Sequence, residues 1–121
     1  CVICNNHQAT HLPMDCPHGV DLYHGTKLPS LSGISMNGFI ASDKQCRLGR
    51  GIYFASEAAA QAVAAYRGQG ASLCVLKCRV RLGNMKDLGH AIDHKGSWRS
   101  SYDSCCGIHP TWLNIPAFTE Y

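Results

Sequence analysis

The sequence predicts an α+β domain. Short runs of strand character at Asp21–His24, Gly51–Ala55, Ser72–Leu82 and Ala117–Tyr121 alternate with helical runs at Pro29–Asn37 and from Ser56 to Tyr66. The 72–82 run is the clearest signal. Cys74, Leu76, Cys78, Val80 and Leu82 fall on one face and Lys77, Arg79 and Arg81 on the other, the two-residue period of a strand with one face buried. The alanine-rich run after Ser56 is the second signal, because alanine has the highest helix propensity.

Taken in order, residues 1–19 are rich in Cys, His, Asn and Pro and carry no period, so a core alone does not order them. Asp21–His24 is a short strand. In the Pro29–Asn37 helix Leu31 and Ile34 share a stripe, and Gly38 suits a left-handed C-terminal cap. Phe39–Ala41 resumes an extended run, and Ser42–Arg50, with Lys44, Arg47 and Arg50, is a polar loop. Gly51–Ala55 is a strand. Ser56 then caps a helix whose first turn holds Glu57, where the helix dipole favours negative charge. Its apolar face is expected at Ala59, Ala62, Val63 and Tyr66, and residues 67–71 end it. From Met85 to Pro116 the pattern is loop-heavy, and Ala117–Tyr121 is a last strand.

A chain of 121 residues makes one domain with one core. Its 45% hydrophobic and 16% charged residues argue against disorder, and no apolar run approaches the ~20 residues of a membrane span. The formal charge of +3 is too weak to imply nucleic-acid binding by itself. Eight cysteines allow either metal ligands and buried thiols in a reducing compartment or the disulfides of a secreted domain. Clustering with histidines favours the first and an intracellular setting, cytoplasmic or nuclear, with secretion kept open. Cys1-x-x-Cys4 followed by Cys16-x-His18 has zinc-ligand spacing, like the opening half of RING-like modules. Four protein ligands would make that zinc structural, ordering a segment that has no core. The domain division is therefore 1–19, a Cys/His-rich zinc-bound extension, and 20–121, the main domain.

Three motifs carry chemistry: Tyr23-His24-Gly25-Thr26 at the end of the first strand, Gly51-Ile52-Tyr53-Phe54-Ala55, and Phe118-Thr119-Glu120-Tyr121. Their order, with Gly33 to Phe39 and Arg79 to Met85 between them, resembles the catalytic domain of the poly(ADP-ribose) polymerase-like (diphtheria-toxin-type, His-Tyr-Glu) ADP-ribosyltransferases over about residues 21–121. The resemblance implies a split, mostly antiparallel sheet with flanking helices and an NAD cleft between its halves. It also implies transfer of ADP-ribose from NAD, with release of nicotinamide. His24, Tyr53 and Glu120 are the implied catalytic set. Gly25 would bind the carboxamide through its backbone, and His24 and Thr26 the adenosine ribose. Tyr53, with Ala55 beside it, and Tyr66 would enclose the nicotinamide. Glu120 would bond the nicotinamide ribose and support positive charge at the sugar.

Gln61 stands where the family usually has a serine for the carboxamide, and the segment between Leu88 and Glu120 is short. These departures define the alternative reading, a catalytically weak or inactive module that binds NAD or ADP-ribose and acts through partners. Arg47 and Arg50 are candidates to face a pyrophosphate, with solvated loop positions as the alternative. A dinucleotide-binding Gly-x-Gly-x-x-Gly fails at Phe54, and no nucleophile elbow is present. The expected acceptor is protein, with nucleic acid as a second class. The expected state is a monomer without membrane association.

Overall fold

Among the described residues the fold consists of two small sheets and two helices, with short 3-10 turns. A computed structural model describes residue 8 and residues 10–41, 46–68, 72–111 and 115–121. The first sheet pairs β1 (Val20–Lys27) with β2 (Leu73–Val80), antiparallel, in a register running from Val20 opposite Val80 to Lys27 opposite Leu73. The second orders β3 (Met85–Asp87), β4 (Ser104–His109) and β5 (Phe118–Glu120). There β3 runs parallel to β4, and β4 antiparallel to β5. The sheet is thus split as expected, but its second half is mixed rather than antiparallel.

Helix α1 (Leu31–Asn37) follows a 3-10 turn at Leu28–Ser30 and buries none of its residues. Gly38 ends it with φ +74° and ψ −175°, so the positive φ expected of glycine is present but the chain leaves in an extended direction, not a left-handed helical one. Helix α2 (Glu57–Gly68) begins as predicted, with the Ala59 N–H donating to Ser56 Oγ at 3.3 Å.

The buried face of α2 differs from the expected one: Ala59, Ala60, Ala64 and Gly68 are buried, while Tyr66 is 47% exposed. The cause is Gly25 on β1. A Cβ there would lie 2.5 Å from the Ala60 carbonyl oxygen and 2.7 Å from the Ala64 Cβ. The helix crosses the strand so closely that only small residues fit the contact, and this rotates the aromatic ring of Tyr66 outward.

Gly51–Ala55 forms no strand of its own. It is an extended segment whose backbone bonds go in two directions. Ala55 exchanges N–H···O bonds with Tyr23 at 2.8 and 2.9 Å, and Phe54 exchanges them with Tyr121 at 2.9 and 3.0 Å. This segment joins the two sheets. The stretch expected to be loop-heavy contains β3, a 3-10 turn at Ser97–Ser100 and β4. Trp98 in that turn donates its Nε1–H to the carbonyl of the buried Leu48 at 2.7 Å.

The N-terminal segment is tied down through Arg79. Its Nε–H donates to the Cys16 carbonyl at 3.1 Å, a second N–H donates to the same oxygen, and Nη1 bonds Asp21 at 3.0 Å. Lys77 also lies 3.8 Å from Asp21. The basic face of β2 is therefore partly neutralised from β1.

Candidate active site

The joining segment sets the site. His24 follows Tyr23, whose backbone is bonded to Ala55, and Glu120 precedes Tyr121, whose backbone is bonded to Phe54. Tyr53 lies on the same short stretch. All three border one cavity of about 740 Å³, together with Gly25, Thr26 and Ala55. This is within the size range of pockets that take small-molecule ligands.

His24 is fixed on three sides. Its Nδ1 lies 2.7 Å from the Tyr53 carbonyl. A carbonyl only accepts, so Nδ1 carries the proton and Nε2 is the nitrogen that remains for a ligand. Phe39 and Phe54 hold the ring edge-to-face at 5.0 and 5.9 Å. The Tyr53 hydroxyl donates to the Gly49 carbonyl and accepts from the Leu48 N–H at 3.2 Å. Its ionisation is pushed far up, mainly by burial and then by nearby Cys46, so it stays a neutral phenol. The turn it closes is tight: Gly49 has φ +89°, and a Cβ there would lie 2.7 Å from the backbone of Gly96.

Glu120 is the charged centre. Its side chain is 13% exposed, and Oε1 is shielded from solvent and accepts no hydrogen bond among the described residues. Arg47 Nε lies 3.8 Å from that oxygen. Burial pushes the carboxyl above its usual range, against the opposing pull of His109, Arg47 and Arg67. His109 stacks on Phe118 at 5.0 Å and 8°. His109 lies on β4 and Phe118 on Glu120's own strand β5, with Gly107 directly opposite the glutamate.

Two expected ligand-binding residues lie elsewhere. Gln61 and Tyr66 are exposed and do not border the cavity; Ala60, Val63 and Arg67 are what α2 contributes. Arg47 borders the cavity, whereas Arg50 borders a second one of about 280 Å³ on the side of Val80, Trp98 and Tyr121. His109 and Phe118 also border the cavity; Phe118 belongs to the Glu120 motif, and nothing in the sequence assigns His109 a role. His109 sits on β4, a strand without alternation.

Of the zinc-spaced residues, Cys1 and Cys4 lie outside the described residues. Cys16 is fully buried and His18 exposed. Among the described residues no group of three or more His, Cys, Asp or Glu is placed to hold a metal ion. Nor is any helix among them long and apolar enough to cross a membrane.

A histidine, a tyrosine and a glutamate from three distant parts of the chain thus meet at one cavity between two small sheets. The family model of the poly(ADP-ribose) polymerase catalytic domain matches residues 6–105, and the chain belongs to this family. Its catalytic domains use NAD as substrate. No curated protein matches the chain. Glu120 lies beyond the matched residues, so its place in the site rests on geometry.

Proposed function

We propose that this domain transfers ADP-ribose from NAD to a macromolecular acceptor and releases nicotinamide. The observation that carries the proposal is the meeting of His24, Tyr53 and Glu120 at one cavity. In the reaction the bond between ribose C1′ and the nicotinamide nitrogen breaks, and its electron pair leaves with nicotinamide. A bond from C1′ to an oxygen or nitrogen of the acceptor forms, and the acceptor's proton passes to a base or to water.

His24, with Nε2 available, and Thr26 hold the ribose of the adenosine half. The Gly25 backbone and the ring of Tyr53 orient the leaving group beside Ala55. Glu120, when ionised, stabilises positive charge developing at the sugar, which is why a carboxylate is needed there. A protein acceptor is the first candidate. Residues 1–19 act as an extension of the main domain, and a structural zinc on Cys1, Cys4, Cys16 and His18 is proposed from their spacing.

The placement of Gln61 and Tyr66 outside the cavity favours a second reading, a binding module with little turnover. One experiment separates the two: nicotinamide release from NAD by wild type and by Glu120→Gln. Release that falls by about two orders of magnitude in the variant supports transfer, on the scale lost when a transition-state electrostatic contact is removed. A folded wild type that binds NAD and releases nothing establishes the binding module.

A further inference from the structure

Arg47 reaches Glu120 from the loop that leads into Gly51–Ala55. It sits in the turn before Tyr53, and its backbone carbonyl accepts from the Asp93 N–H at 2.7 Å. Its Nη2 donates to the carbonyls of His90 and Ile108, both at 3.2 Å. Ile108 is on β4, next to the glycine that faces Glu120 across the β4–β5 pair. The guanidinium is therefore anchored by two backbone carbonyls, and the Arg47 backbone by a third bond, none of them to the glutamate. It is held 3.8 Å from Oε1, too far for a hydrogen bond and close enough for charge.

That placement answers the problem Glu120 poses. A shielded carboxylate oxygen without a hydrogen bond is costly to leave without countercharge. An arginine fixed by other partners supplies that charge without having to be ordered by the carboxylate itself. We propose that Arg47 is a positioning residue of this site: pinned on the His90 and Ile108 carbonyls, its guanidinium supplies the fixed countercharge that keeps Glu120 charged at the cavity. The other groups acting on Glu120 are His109 from β4 and Arg67 from α2, with the neutral Tyr53 hydroxyl nearby. Arg67 is exposed, whereas Arg47 is half-buried and held on two carbonyls beside Oε1. The consequence for catalysis rests on the transfer reading above; the electrostatic pairing does not.

The test is the titration of the Glu120 side-chain carboxyl by carbon NMR in wild type, Arg47→Gln and Arg47→Lys. In Arg47→Gln the midpoint rises by about one to two pH units, the effect of removing an opposite charge within 4–6 Å. In Arg47→Lys, which keeps the charge, it returns most of the way to wild type. In the wild type itself the Arg47 Nε resonance moves with the Glu120 midpoint, so the pairing is readable even if a variant fails to fold. Equal midpoints in wild type and Arg47→Gln, or an Arg47 resonance flat across the titration, overturn the proposal. Where nicotinamide release is present, the acid limb of kcat/KM shifts upward with the carboxyl midpoint. Displaced midpoints in a wild type that releases no nicotinamide leave the Arg47 assignment standing and remove the transfer reading.

Discussion

Replacing Gly25 with alanine tests the packing that shapes the site, independently of any ligand. The added Cβ would lie 2.5 Å from the Ala60 carbonyl oxygen, about 0.9 Å inside the 3.4 Å at which ordinary contact begins, and 2.7 Å from the Ala64 Cβ. Neither neighbour has a rotamer that can swing away, so α2 must shift as a body or its hydrogen bonds must distort. Overpacking of this kind costs about 1–3 kcal/mol, and backbone neighbours place Gly25→Ala in the upper half of that range. Alanine also narrows the unfolded ensemble, returning about 0.4–1 kcal/mol. The net loss is about 2 kcal/mol, a fall in Tm of roughly 8 °C for a domain this size. Gly33→Ala is the control, since a Cβ at Gly33 meets nothing within 4 Å. In the middle of α1 it should stabilise by about 0.5–1 kcal/mol through helix propensity. Thermal unfolding followed by circular dichroism should show opposite signs for the two variants. A Gly25→Ala variant melting within about 2 °C of wild type would refute the close approach of α2 to β1.

Two further outcomes follow from the charged groups. Burial raises the Glu120 carboxyl, so between the ordinary carboxylate range and its folded value the native state holds more proton than the unfolded chain. That contribution is complete below about pH 4 and is lost as pH rises through the folded value. Glu120→Gln should therefore melt higher than wild type at neutral pH, with the difference shrinking toward acid; a difference constant from pH 4 to pH 7 would contradict the reasoning. Arg79→Ala removes the clamp on the Cys16 carbonyl and on Asp21. Hydrogen bonds from a charged donor are worth about 1.5–3 kcal/mol, so native-state alkylation of the fully buried Cys16 should rise at least ~10-fold by mass spectrometry. Unchanged labelling would mean that other contacts hold the segment.

What could be read in the sequence was what is local. The Ser56 cap and the alternation of β2 are properties of a few neighbouring residues, and both elements appear where expected. β4 was hidden because Cys105, Cys106 and Gly107 are all buried in succession, which erases the two-residue period. The position of Tyr66 failed to follow from counting along the helix. The buried face of α2 is chosen by Gly25 on another strand, and no property of the helix records that contact. Arg47 shows the same limit. A loop arginine has no address in the sequence, and its partners at His90, Ile108 and Glu120 come from three later segments.

The joining segment explains how three groups so distant in sequence keep one geometry. Successive residues of an extended chain present their N–H and C=O groups to opposite edges, so Phe54 can bind Tyr121 while Ala55 binds Tyr23. His24 and Glu120 are each one residue from such a bonded pair, and Tyr53 precedes both. A slip of either neighbour by one residue moves its side chain by ~3.3 Å and turns it to the opposite face. The backbone therefore fixes where the three side chains emerge before any of them touches a ligand. This is what allows an unfavourable group to be kept at the site. A carboxyl that burial would rather see protonated is anchored by its strand, and the balancing charge arrives on Arg47, which is anchored separately. Either half can then be perturbed alone, and a substitution at Arg47 that leaves the Phe54–Tyr121 bonds intact changes the charge state of Glu120 without moving it.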